Sequence, residues 1–431
     1  MKQNNILFQG NRGVAILIIM ITLFLLIPTM LFVLNIVRQN NIIAAKDRQL
    51  NTTNNLANNM IIDIMGLLAQ SQYDYHYDPS SLNWDDLSYK WGFSSMNVIP
   101  DLVNHTLFIE AKGRYGKAKD HALFEKTLYA VVQFDSPWTK FASMFPNGIT
   151  TNIPSIIYDG PLYSKGDAIF TGTNLLFTIG PVIVDGNFFG RPSLTVDCDL
   201  YCSGNLAGGF KCNGTIYNFA PVVEIPEIDD TFYDMYSNLE LFNGGYDIVF
   251  SVDPVSGDGR FSVNGGSFVT IPSSGYIIYG KKSTITVTGT VHGRVTIVAT
   301  KAGTAARGFI HVLGDLVYAN GTLNASYDDS IALIAENKLY MYKIVANNTV
   351  CGILISQTTD GIILQPPSHP SSYPFANTCG THIISGTRNE IIKNGLDTTK
   401  VTCTDAFDEN LIKYPPPGLP EKPRLVTWDF K

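Results

Sequence analysis

Charge is scarce in this chain. Only 16% of its 431 residues are Asp, Glu, Lys or Arg, and none of these falls between Val14 and Val37. The densest basic run is Lys112, Arg114, Lys117 and Lys119. That is too little positive charge for a phosphate-binding face, so nucleic acid is not an expected partner. Cysteine is absent before residue 198. The six that follow, Cys198, Cys202, Cys212, Cys351, Cys379 and Cys403, include no CxxC pair. No nearby histidine completes a four-ligand set with them, which argues against zinc. The seven histidines are scattered, and no nucleophile elbow, HExxH or Walker sequence occurs. No cofactor is therefore expected. Polar surface must come from Asn, Ser, Thr and Tyr, a profile that suits an exported, β-rich protein.

What the sequence does have is a long apolar run. Val14 to Val37 is 24 uncharged residues, fenced by Arg12 and Arg38. A helix of that length crosses a hydrocarbon core of ~30 Å, and it exceeds the h-region of a secretory signal. Beyond it, Ile42, Ile43, Leu50, Leu56, Met60, Ile64 and Leu67/Leu68 recur at three-to-four spacing. One helix from Val14 to near Gln72 would be about 85–90 Å long, half of it in lipid and half a stalk. Val14, Pro28 and Val37 mark the start, middle and end of the anchor. The residues Asn11-Arg12-Gly13-Val14-Ala15-Ile16-Leu17-Ile18 resemble a prepilin cleavage site, and the whole segment resembles a type IV pilin subunit. The resemblance implies cleavage by a prepilin peptidase between Gly13 and Val14, in a bacterial inner membrane with the head outside the cytoplasm. Removing residues 1–13 takes Lys2 and Arg12, so 28 basic residues face 37 acidic ones and the charge moves from -7 to -9. The chain departs from the family at the fifth mature position. Shaft pilins carry a glutamate there, whereas Ile18 stands here. A buried carboxylate needs a partner, and its absence points to a minor or tip subunit.

The rest reads as many short strands. Residues 73–150 are a Tyr/Trp-rich linker and a hairpin, Thr106–Ala111 and Leu128–Phe134 around Lys112-Gly113-Arg114-Tyr115-Gly116. Gly113 and Gly116 are expected to supply positive φ. This segment resembles the strand–GRYG–strand of PilX-type minor pilins, where the hairpin packs on the N-terminal helix. Over 151–365, β-branched runs alternate with Gly, Asn and Asp corners at roughly 20–25-residue intervals. Such runs stack as rungs of a right-handed parallel β-helix, with a β-sandwich as the competing arrangement. Residues 226–242 read as a helical insertion that covers a face or an end. Residues 366–431 read as a Pro-rich C-terminal extension wrapping the solenoid and docking Trp428. Their order, Asp408-Glu409-Asn410-Leu411 as a strand, then Pro415-Pro416-Pro417, then Trp428, looks like the tail of PilX-like pilus assembly proteins. The fold class expected is mainly β with a long N-terminal helix.

An even cysteine count in an exported domain suggests disulfides. Connectivity stays open, with Cys379–Cys403 favoured because it closes the irregular C-terminal region. Parallel β-helices also include polysaccharide lyases and hydrolases, whose sites need convergent carboxylates. Asp197 with Asp199, Asp328 with Asp329, and Asp253 with Asp258 are the candidates, and His292 and His311 lie in glycine-punctuated strands. Each is weighed as an ordinary corner or surface residue. The reading is a non-enzymatic minor pilin, acting at the tip in assembly initiation or surface adhesion. Its partners would be other pilin subunits, the pilus assembly machinery and a surface polysaccharide. The alternative is a membrane-anchored β-helical polysaccharide-binding protein or hydrolase. A surface-layer or fibre scaffold is a third reading.

Overall fold

A computed structural model describes residues 7–70, 84–89, 92–101, 106–116, 122–151, 155–223, 230–321, 328–342, 349–357, 362–365, 377–379, 382–384, 402–419 and 421–430. The fold is mainly β with one long N-terminal helix, α1, which runs unbroken from Leu7 to Gln70 and through Pro28. At 1.5 Å per residue it is about 96 Å long. Its last third has one apolar face: Leu56, Ala57, Met60, Ile61, Ile64 and Leu68 are buried. Ile42, Ile43 and Leu67, which share the same spacing, are exposed.

That face lies on a five-stranded antiparallel sheet. Its strands, in spatial order, are Trp84–Tyr89, Gly92–Asp101, Thr106–Tyr115, Phe124–Asp135 and Lys422–Phe430. Strand alternation puts Met96, Val98, Leu107, Ile109, Ala111, Leu128, Ala130, Val132 and Phe134 into one core with the helix. One glycine sets the distance. A Cβ on Gly113 would stand 2.1 Å from the Thr53 carbonyl of α1, whereas one on Gly92 would meet first the Arg114 carbonyl of the neighbouring strand at 2.1 Å and then Leu56 Cδ1 at 2.8 Å. Gly113 is not among the residues of positive φ. It is glycine because the helix backbone rests on it, not because a turn requires it.

The head is a parallel β-helix. In its first part Ile156, Leu175 and Leu194 stack in register, 19 residues apart. In its second part Ile285 and Ile310 stack 25 residues apart. Three strand ladders form its faces. Among the described residues face A has 14 strands, face B 11 and face C 4, and all pairings are parallel except those of a three-stranded meander, Gly245–Val252, Gly259–Val263 and Val269–Thr270, on face A. Inward residues such as Leu162, Val182, Leu200, Ile278, Ile297, Leu333 and Leu354 form one continuous core.

The winding order departs from sequence order. Along face B the strands run Ile216–Tyr217, Leu200–Cys202, Val182–Val184, Leu162–Ser164, Ser143–Phe145, His382–Ile384, Ile353–Ser356, Ser330–Ala335, Arg294–Ala299, Tyr276–Lys281 and Leu239–Phe242. The chain enters at the middle from the stalk sheet and winds to one end at Tyr217. It then crosses to the opposite end and winds back until it meets its own entry. The seam is parallel and in register, with His382 opposite Ser143 and Thr402 opposite Ser155. The Phe407 amide donates to the Asp159 carbonyl at 2.8 Å.

The segment expected as a helical insertion is this return crossing. Helix α2, Asp230–Tyr236, buries Phe232 and Tyr233 on the outer surface of face B against Ile277 and Tyr279. The C-terminal region is likewise not a free extension. Thr402–Ala406 is a solenoid strand, Asn410–Lys413 is helix α3 rather than the expected strand, and Lys422–Phe430 completes the stalk sheet. Between them the Pro415–Leu419 strap lies on face B. Tyr233 Oη donates to the Gly418 carbonyl at 3.0 Å, and Leu419 is buried. Covered on both sides, Ser330–Ala335 is buried at every residue. The strand that carries Trp428 pairs with Phe124–Asp135 of the stalk sheet, not with the solenoid.

Candidate functional site

The first candidate site is the free part of α1. Residues 16–48 are exposed around the whole helix, apolar to Val37 and mixed polar and apolar beyond. Among the described residues this is the one helix long and apolar enough to cross a membrane; signal sequences and buried core helices pass the same test, but none of this span is buried in the chain. Gly13 and Val14 are helical and continuous with it, and their side chains lie outside the described residues. Ile18 is 58% exposed. Proline at 28 has no amide hydrogen to donate to the Phe24 carbonyl. The next residue, Thr29, donates its hydroxyl to Leu25 O at 2.8 Å, and the helix does not unwind.

The carboxylate candidates mostly resolve into corner bonds. Asp197 accepts from Asn213 Nδ2, and Asp199 accepts from the Thr215 amide at 2.9 Å. Each ties one rung to the next. Asp253 accepts from the Val255 and Ser256 amides at 2.8 and 3.1 Å and pairs with Arg260. Those amide bonds hold its carboxyl below the usual range. His311 sits in an aromatic ladder, stacked on Tyr342 at 5.4 Å, and burial lowers its pKa.

One constellation joins residues that the sequence kept apart. His292 Nδ1 lies 2.8 Å from Asp329 Oδ1, which also accepts from the Gly293 amide at 2.7 Å. Asn320 Nδ2 donates to Asp329 Oδ2 at 3.1 Å. Asp329 is buried and His292 partly exposed, so a carboxylate fixes one imidazole nitrogen and the ring. The same contacts tie the corner after Val291 to the corner before Ser330. Asp328 is exposed beside them.

Cys198, Cys202 and Cys212 are free thiols, whereas Cys351 is disulfide-bonded. Cys379 stands opposite Cys351 in parallel register. The side chains of Cys379 and Cys403, and with them the expected Cys379–Cys403 bridge, lie outside the described residues. Sequence reasoning missed Asp408. Its carboxyl is buried in the strap, accepts from the Asn410 amide at 3.0 Å, and is raised in pKa by burial. Nothing in a lone Asp before a short helix signals that environment.

No protein-family model and no curated protein matches the chain. Among solved structures it is similar to the competence-associated pilin ComZ from Thermus thermophilus. The TM-score is 0.24 with 10% identity, over 80% of this chain and 86% of that one. A likeness this distant decides nothing about this chain, and it does not single out a PilX-like relationship.

Proposed function

We propose that this protein is a minor pilin-like subunit of a type IV pilus or related filament, non-enzymatic and placed at the tip. The observation that carries this reading is the division of one unbroken helix. From Ile16 to Val37 it is apolar and exposed, and its last third is seated on an antiparallel sheet at Gly113. In this reading the free half is inserted in the bacterial inner membrane. Prepilin peptidase trims it after Gly13, and the assembly machinery transfers it to a bundle of other pilin subunits. The head initiates assembly or contacts a surface polysaccharide.

Two features support the tip. Ile18 leaves no carboxylate to pair with a neighbour's amino terminus, and none to bury unpaired where no neighbour stands. The solenoid extends to both sides of its junction with the stalk sheet. Eleven strands at ~4.8 Å make face B about 48 Å long, a body too wide for close stacking in a shaft. Immunogold labelling tests this placement. Label at filament ends, with fewer filaments of unchanged diameter on deletion, is expected; label spread along the shaft contradicts it.

A further inference from the structure

The two long faces of the solenoid differ on their outer sides. Helix α2 and the Pro415–Leu419 strap lie on face B. Face A carries a strip of rings. On the Phe309–Tyr318 strand Ile310 and Val312 point into the core, so Phe309 and His311 point out. On the neighbouring Leu339–Tyr342 strand Leu339 and Met341 point in, so Tyr340 and Tyr342 point out. All four rings are partly exposed. His311 stands opposite Tyr340, and Leu313 opposite Tyr342. The His311 ring centroid is 5.0 Å from that of Tyr340 and 5.4 Å from that of Tyr342, and Phe309 is 5.9 Å from Tyr340. Tyr340 is tilted by 38° from His311 and by 43° from Phe309, so neither closes over its face. On the other side the Thr284–Val291 strand continues the strip with hydroxyls. Thr284 is opposite Phe309, and Thr286 is opposite His311.

We infer that this strip is where the head binds a neutral polysaccharide, laid across successive rungs. The inference rests on the polysaccharide contact in the function proposed above and gives that contact a place. A sugar ring has apolar C–H faces and a rim of hydroxyls. The strip has the matching parts, aromatic faces beside tyrosine and threonine hydroxyls. It repeats with the rungs, at ~4.8 Å per strand, on the outside of a ladder, which suits an extended polymer rather than a small molecule in a cleft. Charge selects the class of polymer. Asp247, level with Thr286 one strand further on, and Lys338, just before Leu339, stand at the margins with one charge of each sign. Burial lowers the pKa of His311, which keeps its ring neutral at pH 7. A strip without net charge, on a chain of net charge -7, offers a polyanion no attraction. A protein partner needs a wider apolar centre than four rings and Leu313 provide.

The test is affinity electrophoresis of the full chain in zwitterionic micelles, through gels that hold a glucan, xylan or mannan, or polygalacturonate. Retardation by at least one of the neutral polymers, and none by polygalacturonate, is expected. Tyr340→Ala combined with Tyr342→Ala should weaken that binding ~10-fold or more. Tyr340→Phe, which keeps the ring, should retain most of it. Thr286→Glu removes no ring but puts a charge in the strip, and should also weaken binding. Tyr217→Ala, at the solenoid end far from the strip, should change nothing. Thermal melts of each variant separate a lost contact from a lost fold. Binding that survives both the double variant and Thr286→Glu would overturn the strip while leaving the polysaccharide reading in place. No retardation by any neutral polymer would overturn both, and preference for polygalacturonate would overturn the assignment to a neutral chain. Fewer filaments in the double variant with glycan binding intact would mark the rings as a protein contact instead.

Discussion

Single residues carry more of this fold than their chemistry suggests. Gly113 is a seat for α1, and an added methyl would meet the Thr53 carbonyl at 2.1 Å. Gly113→Ala should destabilise the stalk sheet by ~1–3 kcal/mol, the usual cost of overpacking. Chemical denaturation of the full chain in detergent measures it, and unchanged stability would show that the helix can lift without cost. Asp408 makes an opposite prediction. Burial raises its pKa in the folded chain, so the folded state binds its proton more tightly than the unfolded state does. Stability is greatest below the ordinary carboxylate range and falls as pH rises through the raised value. Asp408→Asn should therefore melt higher than the parent at pH 7, and the difference should shrink towards pH 4. Neither role was legible in the sequence. Gly113 reads as a turn residue and Asp408 as part of a strand, because what decides each is a partner distant in the chain.

At the scale of elements, periodicity was a sound guide to kind. The three-to-four spacing of Leu56, Met60 and Ile64 gave the buried helix face, and β-branched runs between Gly and Asn corners gave the rungs. It was a poor guide to order. Successive rungs are locally alike, so nothing in a repeat says which end of the solenoid it occupies. The chain's entry at the middle, and the reading of residues 366–431 as an extension, turned on that. The seam makes the difference measurable. Truncation after Val401 removes the strand that pairs with Ser155–Asp159 and the fifth strand of the stalk sheet. An extension would be dispensable, but here the head should lose resistance to limited proteolysis throughout. A truncated chain as resistant as the full one would refute the closed seam.

For the whole molecule, the parts combine into a membrane-length helix, a sheet that grips its last third, and a solenoid hung on that sheet by its middle. The His292–Asp329–Asn320 contacts are the closest approach to a catalytic constellation among the described residues. Screening polyuronic and neutral polysaccharides should find no turnover, and turnover lost in Asp329→Asn would establish a hydrolase instead. The central claim is that the helix is a pilin's. It is tested most directly by the mature amino terminus of protein recovered from membranes. Sequencing and intact mass should place the cut between Gly13 and Val14, leaving Val14 as the first residue. An intact Met1, or a cut beyond Val37, would contradict the account.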